Sequence, residues 1–229
     1  MAQYVIATTK SWNIENAEKL KIKYPNDSFY IITEKEKLTE KELETLNPRY
    51  VFFPHWSWII PKSVFQKYQC VVFHMTDLPF GRGGSPLQNL IVRGIYSTKV
   101  TAIKVDEGLD TGDIYLKEPI NIEEGNADEI LRRVSDIVFN SMIPKFIEKE
   151  LVAIAQSGEA ECFTRRKPED SRLPAGLSQK QIYDYIRMLD GEGYPLAFSE
   201  IGNMKVFYKN ARFYNGKVYA DAYFEERDR

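Results

Sequence analysis

Apolar residues in the first two thirds of the chain fall into short, nearly unbroken runs separated by amphipathic stretches. QYVIATT at Gln3–Thr9, SFYIITE at Ser28–Glu34, RYVFFPH at Arg49–His55, CVVFHM at Cys70–Met75 and KVTAIKV at Lys99–Val105 are rich in Val, Ile, Phe and Tyr. Runs without polar alternation fit strands buried on both faces of a parallel sheet, because a half-exposed strand would alternate. Between them, Thr39 and Glu42 fit a capping box ahead of Leu43 and Leu46. A longer helix is expected from about Ala127 to Glu150, with Ile130, Val134, Ile137, Val138 and Phe146 on one stripe. This alternation predicts an α/β fold on a doubly wound, mostly parallel sheet. Ligands of such sheets sit beyond the carboxyl ends of the strands, and His74 stands at such an end.

The period is lost from Gln156 to Ala175, where Arg165, Arg166, Lys167 and Pro168 precede Glu169, Asp170 and Ser171, so this stretch reads as a linker or surface loop. Ser178 and Gln181 then suggest a helix cap leading into IYDYIRMLD. From Lys205 onward the pattern alternates around Asn215-Gly216, a strong hairpin signal. The expected division is residues 1–155 as the main domain and 156–229 as a linker with a small C-terminal helix and β-hairpin. No internal repeat or low-complexity tract is visible.

Composition narrows the class of partner. With 43% hydrophobic and 28% charged residues the chain reads as an ordinary globular protein. The balance of 31 basic and 33 acidic side chains makes no polybasic field, so nucleic acid is not the expected partner. Met1–Thr9 carries only a short apolar run, unlike an export signal, and no apolar stretch approaches the ~20 residues that span a bilayer. Cys70 and Cys162 lie far apart without metal-ligand spacing, which fits reduced thiols in a cytoplasmic protein with no metal and no membrane contact.

The chemistry-bearing residues gather in two places. His74 precedes a glycine-rich turn containing Gly81, Arg82, Gly83 and Gly84, and DEGLDTGDIY, with Asp110, Thr111, Gly112 and Asp113, follows the strand KVTAIKV. A histidine and a carboxylate at the ends of neighbouring strands can meet, the acid orienting the imidazole and stabilising its charged form. The residues alone leave a second reading open, in which His74 is a satisfied strand-end side chain and DTGD a turn.

WIIPKSVF, FHMTDLPFGRGGSPLQ and GLDTGDIY, taken in order between about Val51 and Leu116, resemble the formyltransferases that use 10-formyltetrahydrofolate. The resemblance implies a Rossmann-like formyltransferase domain through about residue 150, with 10-formyltetrahydrofolate as the formyl donor. FTRRKPEDSRL followed by IYDYIRMLDGEGYPLAF is similar to segments of the sugar N-formyltransferases. It implies a nucleotide-linked amino sugar as acceptor, such as a UDP- or dTDP-4-amino-4,6-dideoxyhexose of a pseudaminic-acid type pathway in cell-surface glycan synthesis. A tRNA formyltransferase is disfavoured at this point by the near-neutral charge and by the absence of room for a full extra barrel in residues 156–229. A non-catalytic folate or nucleotide-sugar binder is the other alternative.

What the resemblance implies can be carried over residue by residue. His74 would stabilise the oxyanion, with Asp110 holding the imidazole and taking the amine proton. Trp56, Ser57, Trp58 and Ile59, with Leu109 and Asp113, would cradle the pteridine, the two tryptophans as flat walls or, on the residues alone, as core. Thr76, Asp77, Arg82, Gly83 and Gln88 would face the acceptor, and Arg165 and Arg166 would reach its pyrophosphate. Two departures stand out. Val72 replaces the family's asparagine, and Met75, Thr76 and Asp77 replace its Pro-Ser-Leu. His55, with Thr76 next in line, is the expected substitute for the missing amide, and the final hairpin would suit a homodimer contact.

Overall fold

A computed structural model describes residues 1–227. In chain order the elements are β1 (Gln3–Ala7), α1 (Ser11–Lys23), β2 (Ser28–Ile32), α2 (Glu40–Leu46), β3 (Tyr50–Phe53), α3 (Lys62–Phe65) and β4 (Cys70–His74). There follow β5 (Phe80–Gly83), α4 (Pro86–Val92), β6 (Ser97–Lys104), β7 (Ile114–Asn121), α5 (Ala127–Ile137) and α6 (Ile143–Glu148). The chain closes with β8 (Glu161–Phe163), α7 (Gln179–Arg187), β9 (Ala197–Ile201), β10 (Met204–Tyr214) and β11 (Lys217–Glu226). These elements form two compact units of interleaved segments. One comprises Met1–Arg82, Lys99–Ile120 and Arg132–Cys162, and the other Gly83–Thr98, Asn121–Leu131 and the residues from Phe163 onward.

The first unit is organised by a six-stranded sheet in the order β2-β1-β3-β4-β6-β7. Pairings β1/β2, β1/β3 and β3/β4 are parallel, as the unbroken apolar runs require, and β4/β6 is antiparallel. Both sheet faces are buried. On one, Val5, Ala7, Val51 and Phe53 pack with Leu43 and Val64. On the other, the Phe52 ring lies 5.4 Å from Phe146 and 6.1 Å from Tyr4. Burial of residues on alternate sides of one strand explains why β3 shows no polar alternation.

Helix ends follow local chemistry. The Thr39 hydroxyl accepts from Glu42 N at 3.2 Å, while Ser178 and Gln181 form both halves of a capping box at 3.3 and 2.9 Å. The expected helix over 127–150 is interrupted: Val138–Met142 forms a wider π turn before α6. Pro144, near the start of α6, lacks the N–H that a continuous helix would give to the carbonyl four residues back.

In the second unit β9, β10 and β11 form an antiparallel sheet. Asn215 and Gly216, at φ 49° and 67°, make its tight turn. Strand β9 was not visible in sequence, being five residues long with only Ala197 buried. Arg187, 1% exposed, donates to Asp184 Oδ1, Ile122 O and Gly125 O at 2.7, 3.0 and 2.9 Å, an ionic core that hydrophobic patterning does not reveal.

Phe52→Ala is expected to lower the unfolding free energy by about 3–5 kcal/mol, because truncation removes contacts on a sheet face sealed by other rings. The shift of the urea midpoint at unchanged slope measures it.

Candidate active site

The antiparallel register of β6 decides how the site is built. Val71 lies opposite Lys104 and His74 opposite Thr101, so β6 ends beside the start of β4 and not beside His74. The expected meeting of two strand ends is therefore achieved differently: residues 105–112 must turn back to bring Asp110 to the histidine. Lys104 N then donates to Asp113 O at 2.9 Å as the chain enters β7. Asp106 Oδ1 accepts from Gly108 N at 3.0 Å and Thr111 Oγ1 at 2.7 Å, folding the loop on itself. A Cβ on Gly112 would lie 1.7 Å from Lys104 O, so only glycine fits there.

At the loop's turning point Asp110 takes φ 55°, a left-handed conformation tolerated by aspartate, and its Oδ2 lies 3.4 Å from His74 Nδ1. His74 is 8% exposed, and its Nε2 lies 2.8 Å from Gly81 O. A carbonyl only accepts, so Nε2 carries a proton in that contact, leaving Nδ1 towards the carboxylate. The ring is thus held from both sides. Donation from it to an oxyanion would require exchanging one of these contacts.

Beside this pair lies a cavity of about 630 Å³ lined by Trp56, Trp58, Ile59, Val72, Leu109 and Asp110, among others. Trp56 and Trp58 meet edge to face at 4.8 Å, and Phe53 braces Trp56 at 6.0 Å. Trp58 is 38% exposed and Ile59 and Leu109 are more so, whereas the Trp56 indole N–H is buried with no acceptor. Size, flat walls and a carboxylate suit a heteroaromatic ligand bearing polar edges. Val72 offers an apolar wall. Ser57 and Asp113 are exposed and are not among the lining residues.

His55 is not among them either; at φ 56° its ring meets the edge of Trp12 at 6.4 Å. The Thr76 hydroxyl lies 3.3 Å from Gly81 O, and Thr76 O accepts from Thr101 Oγ1 at 2.6 Å in a fully buried setting. Asp77 pairs with Lys99 at 3.0 Å and Lys117 at 2.5 Å. Burial pushes its carboxyl up, but the two lysines outweigh that and hold it below the usual range. Arg82 donates through Nε and Nη2 to Gln156 Oε1 at 3.1 and 2.8 Å.

In the second unit, a Cβ on Gly83 would lie 2.5 Å from Phe163 O, which accounts for this glycine by backbone crossing. Gln88 is 2% exposed and donates to Met188 O at 3.0 Å. Arg165 is exposed, while Arg166 donates to Tyr185 Oη at 2.7 Å and to Asp170 O. Hydrogen bonds within the protein thus occupy most side chains expected to face the acceptor. Gln156, which sequence reasoning missed, carries no motif; only its contacts single it out.

Residues 8–145 match the family described as formyl transferase, and the chain belongs to it. Members are formyl-transferring enzymes whose donor is 10-formyltetrahydrofolate. Residues 168–225 match the C-terminal domain of methionyl-tRNA formyltransferase. A methionyl-tRNA formyltransferase from Clostridium thermocellum has a solved structure 53% identical to this chain, with TM-score 0.95, covering 99% of this chain and 100% of that one. The methionyl-tRNA formyltransferase of Thermodesulfovibrio yellowstonii is 32% identical over 154 residues, 64% of this chain and 50% of that protein. The chain spans about half the length of the curated relatives it matches.

A sugar N-formyltransferase from a Shewanella species is 14% identical at TM-score 0.70, covering 92% of this chain and 97% of that one, a likeness of fold alone. These relatives overturn the nucleotide-sugar reading, its glycan pathway and the exclusion of nucleic acid as a partner. The correction has a physical basis: net charge averages over the whole surface, whereas recognition depends on charges within a Debye length, ~10 Å. Among the described residues no helix is long and apolar enough to cross a membrane, and no cluster of His, Cys, Asp or Glu could hold a metal.

Asp77→Asn is expected to flatten the acid side of the stability profile. A lowered carboxyl contributes fully above the ordinary aspartate value of ~3.9, and that contribution is lost as pH falls through its lower folded value. Thermal unfolding followed from about pH 5 to pH 2 compares the two proteins.

Proposed function

We propose that this chain transfers the formyl group of 10-formyltetrahydrofolate to the amine of methionyl-tRNA in the cytoplasm. The observation that carries the reading is the match of residues 168–225 to the C-terminal domain of methionyl-tRNA formyltransferase, joined to a full-length likeness at 53% identity. The His74–Asp110 pair supplies the chemistry and the tryptophan-walled cavity the donor site.

The bound folate supplies an activated formyl carbon. As the amine bonds to that carbon and the bond to the folate nitrogen breaks, the formyl oxygen gains negative charge transiently and the amine nitrogen must lose a proton. Asp110, the member of the pair that lines the cavity, accepts that proton and passes it to the departing folate nitrogen, which leaves as the N–H of tetrahydrofolate. His74, behind it, keeps the carboxylate aimed. Trp58 and Trp56 hold the flat donor ring and exclude water from the reacting atoms.

Incubation with 10-formyltetrahydrofolate and methionyl-tRNA, read as a formyl mass gain on the released methionine, tests this directly. Absence of that product from the intact chain would overturn it. His74→Ala and Asp110→Asn are each expected to lower turnover by on the order of 10²-fold or more with the fold retained, asparagine preserving the left-handed backbone at 110. Trp58→Ala is expected to weaken tetrahydrofolate binding with little change in thermal stability, since its ring is half exposed; calorimetric titration reads the first and thermal unfolding the second.

A further inference from the structure

The geometry points to Gln156 as a positioning residue that, resting on the formyl-transfer reading, sets Asp110 against His74. Gln156 lies in the segment between α6 and β8, far in sequence from the loop it holds. Its amide nitrogen donates to Asp110 O at 2.9 Å and to Gly112 O at 2.8 Å, spanning the left-handed turn. Its amide oxygen accepts from Arg82 Nε and Nη2. Both ends of one side chain are therefore used, the oxygen fixed to the turn after His74 and the nitrogen to the loop that carries Asp110.

Three features make this more than a loop contact. The register of β4 and β6 starts residues 105–112 beside Val71, so no sheet hydrogen bond brings Asp110 to His74. Within the loop, Asp106 accepts from Gly108 N and Thr111 Oγ1, whereas the bonds to the carbonyls at 110 and 112 come from Gln156. Gly81 O, which fixes the far side of the imidazole, is adjacent in sequence to Arg82, which fixes Gln156. One covalent segment, Gly81-Arg82, thus holds the histidine directly and the aspartate through Gln156. A primary amide two methylenes from the backbone supplies two donors and a strong acceptor at this reach, whereas a carboxylate lacks the donors and a thioether has no donor and only a weak acceptor.

Two variants break the bridge in different ways. Q156E keeps an acceptor for Arg82 and loses the donors to the loop, whereas Q156M keeps no donor and only a weak acceptor. Both are expected to lower kcat by on the order of 10²-fold, the scale of a small misplacement of a reacting group. The KM for 10-formyltetrahydrofolate and the Kd for tetrahydrofolate should stay within about twofold, because the tryptophan walls of the donor cavity make no contact with Gln156. The second readout needs no turnover. The chain has two histidines, so imidazole nitrogen resonances are assignable by single substitution. Those of His74 should move in both variants, while those of His55 stay in place.

A fall in melting temperature with kcat and the His74 resonances unchanged would overturn the proposal, leaving Gln156 a structural brace. A wild-type chain that formylates no methionyl-tRNA would sink the functional reading instead. The His74 resonances would then still decide whether Gln156 aims Asp110.

Discussion

The pairing of β6 against β4 is the constraint from which the site follows. Had β6 run parallel to β4, its carboxyl end would have delivered the next residues to His74, as at the switch points of parallel sheets. Running antiparallel, it ends opposite Val71 and leaves the DTGD loop to cover the remaining distance. Everything particular to the site answers this need. Gly112 lets the loop lie against Lys104 O, Asp110 takes a left-handed turn, and Gln156 ties the turn to Arg82.

This arrangement gives the two members of the pair different surroundings. His74 is enclosed between Gly81 O and Asp110, while Asp110 also lines the cavity. A carboxylate backed by an imidazole and set in an apolar wall can take up a proton without reorganising its surroundings, which is the physical content of preorganisation. Val72 on the same wall keeps that environment apolar. The Trp56 indole N–H is buried without an acceptor, which is a standing cost to the fold.

Substrate class was the point at which resemblance misled. The segments FTRRKPEDSRL and IYDYIRMLDGEGYPLAF were read towards sugar enzymes, yet their arginines have internal uses: Arg166 binds Tyr185 and Asp170 O, and Arg187 is sealed among Asp184, Ile122 O and Gly125 O. An arginine committed to the fold looks the same in sequence as one offered to a phosphate. Net charge was equally uninformative, since −2 over 229 residues is compatible with any local patch.

By itself the sequence determined what depends on near neighbours along the chain. Unbroken apolar runs specified buried strands, Ser178 and Gln181 a capped helix, Asn215-Gly216 a hairpin, and the ordered motifs around His74 and Asp110 the family. Each of these is a local backbone or burial preference, legible within a few residues. The tertiary structure alone decided the direction of β6, the commitment of Thr76, Asp77 and Gln88 to internal partners, the seat of His55 against Trp12, and the bond from Gln156 to a loop 44 and 46 residues away. Hydrogen-bond partners distant in the chain leave no periodic trace, because one polar side chain can satisfy any carbonyl that folding brings within reach.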